Sequence, residues 1–338
     1  MEIKNNIIEI AENYDTFFID MYGVLFDGVS LFDGTLQTLE QLKKSGKTIV
    51  IVSNTSQMDS DAKFGYAQRG IIEGVHYDKV VTSGSFLHYF VTNHYDEFSS
   101  MVKLKNGTYK TLFIGNENVF SDTFIKKVEE DEKADFIYVG VPRSSRGAVR
   151  LDDLTENGQP VKIEDIFSKD WTKLKNSTID HFGLAEFAML LDLSLKNGKT
   201  LLISNPDIFA HGSIDHSENK IPIVTQGCLG EYYQKLGGNA IYFGKPGRGI
   251  FEYAKTLVPN AKKIAMIGDT PWTDILGGKS SELDTILTLT GIPEEFFEKL
   301  SGPIQEKMHH LLNEIAPKLS GKSSDELTPT WIVKKFSR

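Results

Sequence analysis

Four short segments of this chain end an apolar run in side chains that could bind an anion or a cation and react with it. Phe17-Phe18-Ile19-Asp20-Met21-Tyr22-Gly23 carries a strand-like run into an aspartate and a glycine turn. Open α/β sheets place their ligands in the crevice beyond the carboxyl ends of strands, so Asp20 is a candidate nucleophile or metal ligand. Taken alone, it is more ordinarily a turn-forming Asp. Thr48-Ile49-Val50-Ile51-Val52-Ser53-Asn54-Thr55 ends a second β-branched run in hydroxyl and amide groups able to donate hydrogen bonds to an anion. In Tyr242-Phe243-Gly244-Lys245-Pro246 a lysine stands before a proline that cannot continue a strand; alone it reads as a surface lysine. Ile264-Ala265-Met266-Ile267-Gly268-Asp269 leads to a second acid, Asp274, five positions on. Two carboxylates so near a strand end are explained economically by a divalent cation.

Together the four segments resemble, in order and spacing, the motifs of the haloacid dehalogenase superfamily of phosphohydrolases. Gly268-Asp269 with Thr273-Asp274, and Gly244-Lys245-Pro246 upstream, are most similar to the branch with a type IIA cap, which holds NagD-like and p-nitrophenyl-phosphatase-like enzymes. Asn205-Pro206-Asp207 and Pro329-Thr330-Trp331-Ile332-Val333 also have counterparts there. The resemblance implies a Mg²⁺-dependent phosphatase of a small phosphate monoester, such as a sugar phosphate or nucleotide. It implies that Asp20 attacks phosphorus and forms an aspartyl-phosphate. It further implies that Asp20 and Asp269 hold Mg²⁺ through carboxylates and Tyr22 through its backbone carbonyl, with Asp274 acting from farther out through a water or Lys245. Ser53, Asn54 and Lys245 would hold the phosphoryl oxygens.

One residue departs from that pattern. Two positions after the nucleophile these phosphatases usually carry a second aspartate, which protonates the leaving alcohol and then activates water; here that position is Tyr22. A phenol with an ordinary pKa near 10 is protonated at neutral pH and poorly matched to work in both directions. Loss of such a group typically costs about 10²- to 10⁴-fold in rate. The expected enzyme is therefore slow, selective for good leaving groups, or reliant on another proton donor. Asp27 and Asp33, in a segment read as a hairpin flap, are candidates, although Asp-Gly is first a turn signal. Two alternative readings stay open: a phosphate-binding pseudoenzyme or regulatory module, and a phosphotransferase. A dinucleotide-binding oxidoreductase fits less well, because the first strand runs into an Asp rather than a Gly-x-Gly turn.

The elements that must position these residues alternate between strand-like and helical patterns, which implies a parallel sheet with right-handed crossovers. Leu36 to Ser45 and Asp59 to Arg69 read as helices stopped by Gly46 and Gly70, and Lys47 to Val52 as the strand between them. The segment Gly46 to Asn54 is echoed by Gly198 to Asn205, and the resemblance makes the second copy the return from a cap. The fold class is thus α/β, a Rossmann-like doubly wound parallel sheet with a smaller inserted α/β cap. The expected division is core at 1–84, cap at 85–199 and core again at 200–338, with a helical excursion over about 292–319. Arg143, Arg146 and Arg150 in a polar cap insertion that also holds Trp171 are candidate substrate contacts, solvated charge being the plainer reading. Phe296, Phe297, Leu300, Met308, Leu311, Leu312 and Ile315 form an apolar face expected on the core, or else on a dimer partner.

A net charge of −9 over 338 residues, without a basic block, argues against a nucleic-acid surface and for small molecules; the resemblance makes the expected partner a small phosphorylated metabolite. The single Cys228 excludes an intramolecular disulfide and suits a reducing cytosol. With no apolar stretch of membrane-spanning length and no signal-peptide core at the start, the expectation is a cytoplasmic protein that does not engage a membrane.

Overall fold

The structure, a computed structural model, describes residues 2–103, 109–114, 119–120, 123–129, 133–140, 143–144, 147–148, 155–156, 159–160, 184–212 and 221–337. They form two compact units: Met1–Ser53, Asp59–Thr82 and Lys245–Arg338 make one, Asn54–Met58 and Ser83–Gly244 the other.

The first unit is built on a seven-stranded sheet in the order Ile3–Lys4, Trp331–Val333, Asp284–Thr288, Ile264–Gly268, Thr16–Ile19, Thr48–Ser53, Lys79–Thr82. Every pairing in it is parallel. The central strands read as unbroken apolar runs because both faces are covered: Phe17, Phe18, Ile19, Ile49, Val50, Ile51, Ala265, Met266 and Ile267 are all fully buried. The covering helices show apolar residues at helical spacing, Leu39 and Leu42 in Thr35–Lys44 and Ile250, Phe251 and Ala254 in Arg248–Thr256. Ile19 pairs with Ile51 on one side and Ile267 on the other, so Asp20, Ser53 and Asp269 emerge at the same edge of three adjacent strands.

The helical excursion spans Ile292–Lys299, Ile304–His310, a π-helical turn Leu311–Ile315 and Ala316–Ser320. Met308, Leu311 and Leu312 are buried with Ile275, Leu287, Leu289 and Ile332, and Phe297 and Ile315 pack against them. The apolar face therefore packs on the core, as expected, although the Phe296 side chain lies outside the described residues.

The second unit carries a five-stranded sheet, Asn239–Tyr242, Thr200–Ile203, Phe136–Val139, Tyr109–Ile114, Ile125–Val128, also paired in parallel. Helices Leu184–Lys196 and Gln226–Lys235 belong to it, and Leu191, Cys228, Leu229 and Tyr233 join its core with Leu201 and Ile203. The boundaries differ from expectation: Asn54–Met58 and the chain from Ser83 join the second unit, and the return to the first comes later. Thr200–Ile203, read from the sequence as the start of the second core segment, pairs with Phe136–Val139 and Asn239–Tyr242, and the chain re-enters the first unit only at Lys245. A four-residue strand buried on both faces has no local mark of which sheet it joins; the echo of Gly46 to Asn54 repeats a strand ending, not its neighbours. Of the cap insertion, Arg146, Arg150 and Trp171 lie outside the described residues, and of Arg143 only the backbone is described, paired with Ala148. No helix among the described residues is long and apolar enough to cross a membrane.

Candidate active site

Asp20 follows its strand directly, and its backbone N–H donates to Ile267 O at 2.9 Å, tying it to the strand that ends in Gly268 and Asp269. Asp269 stands at the end of that strand. Asp274 is delivered by the π-helical turn Pro271–Ile275, a widened turn of the kind that often aims side chains at functional sites. Thr270 N–H donates to Asp274 Oδ2 at 3.1 Å, which leaves Oδ1 facing the interior. Lys245, 2% exposed, closes the cluster. Its Nζ lies 2.7 Å from Asp20 Oδ1 and 2.7 Å from Asp274 Oδ1, and donates to Val52 O at 3.1 Å. Burial alone would lower the pKa of this ammonium, but the two carboxylates outweigh burial and raise it, so the lysine stays charged.

Asp269 is held differently. Thr270 Oγ1 donates to its Oδ1 at 3.0 Å and Ile292 N–H to its Oδ2 at 2.8 Å. Two glycines in left-handed conformations wall it in. A Cβ on Gly23 (φ +77°) would stand 2.1 Å from Asp269 Oδ2, and one on Gly291 (φ +67°) 2.2 Å from the same atom. A Cβ on Gly268 would likewise meet Asp274 Cβ at 2.2 Å. The turns after the strands are glycine because the carboxylates occupy the space a side chain would need.

Asp20, Asp269 and Asp274 each offer a carboxylate oxygen, and these atoms lie within 4.8 Å of one another. Three carboxylates face one ammonium, so the cluster carries excess negative charge in a buried place. Burial first, then Asp274 and Asp20, push the Asp269 carboxyl well above the usual carboxylate range. Three hard-oxygen donors this close together fit a divalent ion of the Mg²⁺ type.

Tyr22 sits at the open side of this cluster with 43% of its surface exposed. Burial of the ring raises the phenol's pKa, Arg69 opposes that and Asp20 reinforces it, so the phenol is protonated at neutral pH. The ring packs edge-on against Phe26, centroids 5.3 Å apart. The expected flap reduces to a tight turn bridged between Phe26 and Leu31. Asp27 Oδ1 accepts from Val29 N–H at 2.8 Å and Ser30 N–H at 2.7 Å, the turn-forming role of an Asp before Gly.

Ser53 is buried at the end of its strand. Asn54 follows it directly and belongs to the second unit, where its Nδ2 donates to Asp207 Oδ1 at 3.0 Å and its Oδ1 accepts from Ser83 Oγ at 3.3 Å. Asn205 Oδ1 accepts from Asp207 N–H at 2.9 Å, and strand Phe209–Gly212 follows.

Residues that sequence reasoning did not single out complete the site. Tyr66, buried on the helix Asp59–Gln68, shares a hydrogen bond with the Ser53 side chain, and burial, followed by Tyr22 and Asp20, raises its phenol's pKa. Thr290 Oγ1 donates to Gly23 O at 2.5 Å, and Gly291 presents the Ile292 N–H to Asp269. The signal for the last group was available: Thr290-Gly291-Ile292-Pro293 ends an apolar strand in a glycine turn ahead of a proline-started helix, the same arrangement that marked the other segments.

The chain matches the family of haloacid dehalogenase-like hydrolases over residues 17–129 and the HAD-hydrolase-like family over residues 242–316. Phosphoglycolate phosphatase 2 of Arabidopsis thaliana is 24% identical, over 86% of this chain and 88% of the relative. An acid sugar phosphatase of Staphylococcus saprophyticus is 23% identical, over 86% and 93%. Among solved structures, a haloacid dehalogenase-like hydrolase from Brucella suis superposes with a TM-score of 0.64 at 19% identity, covering 99% of this chain and 100% of the other. A 4-nitrophenylphosphatase from Thermotoga maritima gives 0.56 at 20%, over 96% and 95%. Glycerol phosphate phosphatase from Mycobacterium tuberculosis in complex with magnesium gives 0.60 at 17%, over 99% and 77%.

Proposed function

The chain belongs to the haloacid dehalogenase-like hydrolases, and from that premise we propose that it is a NagD-like, Mg²⁺-dependent phosphoric monoester hydrolase acting on a small metabolite. The observation that carries the reading is the buried Lys245 ammonium held 2.7 Å from both Asp20 and Asp274, with Asp269 completing the acid cluster. The phosphatase relatives support the substrate class, and the net charge of −9 favours small molecules over nucleic acid or an anionic membrane. The buried single Cys228 suits a cytoplasmic setting.

With Lys245 Nζ 2.7 Å from its Oδ1, the Asp20 carboxylate attacks phosphorus in line with the ester oxygen. The phosphorus–oxygen bond to the alcohol breaks, its electron pair leaves with the alcohol oxygen, and Asp20 carries the phosphoryl group as an acyl phosphate. Water then attacks that phosphorus, releases inorganic phosphate and restores the carboxylate. Ser53, held by Tyr66, and Lys245 bind the non-bridging oxygens as charge redistributes over them. Bound by the Asp20 and Asp269 carboxylates and the Tyr22 carbonyl, with Asp274 behind them, a Mg²⁺ ion would supply the positive charge that lets a carboxylate approach a phosphate dianion. The Tyr22 phenol is the protonated group nearest in sequence to Asp20 on the open side, and it donates to the departing oxygen. As a base for the second step it is poor, so hydrolysis of the acyl phosphate is slow.

Phosphate release from p-nitrophenyl phosphate, with Mg²⁺ and with EDTA, tests this reading. Turnover that requires the ion and disappears in Asp20→Asn is the expected result. An inactive wild type whose Asp20 also takes no label from a phosphoryl donor would leave a binding module instead.

A further inference from the structure

The open side of the site holds a cation that the reaction above does not use. Arg69 follows the helix Asp59–Gln68, and its guanidinium carbon lies 4.6 Å from the centre of the Phe26 ring, the ring on which Tyr22 also packs at 5.3 Å. Its Nη1 donates to Gly65 O at 2.7 Å. The two contacts fix the guanidinium beside Tyr22 before any ligand arrives, so little ordering cost remains to be met on binding. Among the described residues Arg69 pairs with no carboxylate, and most of its fork of donors is uncommitted. The Tyr22 phenol feels the charges of both Asp20 and Arg69. A planar guanidinium held at the mouth of an anion site suits a carboxylate or phosphate in the geometry where Arg binds best.

Resting on the reading of Asp20 as the phosphoryl acceptor, we propose that Arg69 binds a second anionic group on the leaving-group half of the substrate, making the preferred substrate a phosphomonoester that also carries a carboxylate or another phosphate. A neutral alcohol as leaving group would then forgo this contact. The arrangement also gives Tyr22 a purpose: its ring, with Phe26, forms the wall along which the guanidinium is held.

Binding of non-hydrolysable phosphonates separates this proposal from the catalytic one. Calorimetry with Mg²⁺ would compare ethylphosphonate, phosphonoacetate and methylenediphosphonate on wild type, Arg69→Gln and Arg69→Lys. Wild type should favour the doubly anionic ligands by about tenfold or more, Arg69→Gln should bring the three ligands toward parity, and Arg69→Lys should keep part of the preference. Whichever of the carboxylate and second phosphonate loses more in Arg69→Gln identifies the anion. Equal binding of all three by wild type, or a preference that survives in Arg69→Gln, overturns the proposal. A wild type that shows the Arg69-dependent preference yet never hydrolyses p-nitrophenyl phosphate would instead remove the hydrolase reading and leave the anion contact standing.

Discussion

Asp20 and Tyr22 are two residues apart and live in opposite physical regimes. Asp20, 9% exposed, belongs to a cluster in which every neighbouring group is committed: Lys245 bridges two acids, Thr270 and Ile292 hold the third, and glycines fill the space where side chains would intrude. Tyr22, 43% exposed, rests on Phe26 with Arg69 alongside. A buried cluster of charges tolerates no change of identity because each charge is needed to hold the others. An open rim can exchange one residue for another and change chemistry without changing the fold.

Breaking the enclosed side should give the largest effects. Asp20→Asn removes the attacking carboxylate, and steady-state assays should find phosphate release reduced about 10⁴-fold or more. Lys245→Met leaves two carboxylates buried without their cation, and urea unfolding should find about 3–5 kcal/mol of stability lost, which Mg²⁺ would restore in part. A Lys245→Met protein as stable as wild type would mean that the cluster is wetter and looser than its geometry. On the open side, Tyr22→Asp supplies a proton-transfer group better matched to neutral pH, and turnover of p-nitrophenyl phosphate should rise about 10²-fold. A sharp fall would instead make the phenol itself indispensable and erase the contrast between the two regions. Gly291→Ala drives a Cβ toward Asp269 Oδ2 at a positive φ; thermal melts should locate a cost of about 2 kcal/mol, with weaker Mg²⁺ binding. The smallest effect is expected of Tyr66→Phe, which removes only the hydroxyl shared with Ser53: about 1 kcal/mol, seen as a few-fold rise in KM with kcat nearly kept.

Asp20 and Asp269 were legible because each ends an apolar strand, and a parallel sheet puts the carboxyl ends of its strands on one edge. Lys245 follows a strand of the other unit's sheet and Asp274 stands on a turn, so their meeting with Asp20 was decided by the tertiary structure. Tyr22 was legible as a departure from a pattern. Tyr66 was not: on a helix with a buried face, a tyrosine is an ordinary core residue until a neighbouring hydroxyl is seen to meet it. Arg69 was equally silent, since only the position of Phe26 distinguishes it from other surface charges. Asn54 was read for its place after Ser53, and its engagement by Asp207 and Ser83 depends on residues distant in the chain.

What the sequence determined by itself was the main buried strands and the reactive side chains near their ends, because burial periodicity and strand-end residues are local properties; the class of reaction followed from the resemblance those motifs carry. Tertiary structure decided which sheet Thr200–Ile203 joins and which glycines wall in Asp269, and it brought the fields of Arg69 and Asp20 together on the Tyr22 phenol. Those are matters of distance between residues far apart in the chain, fixed only when the packed core selects one set of neighbours.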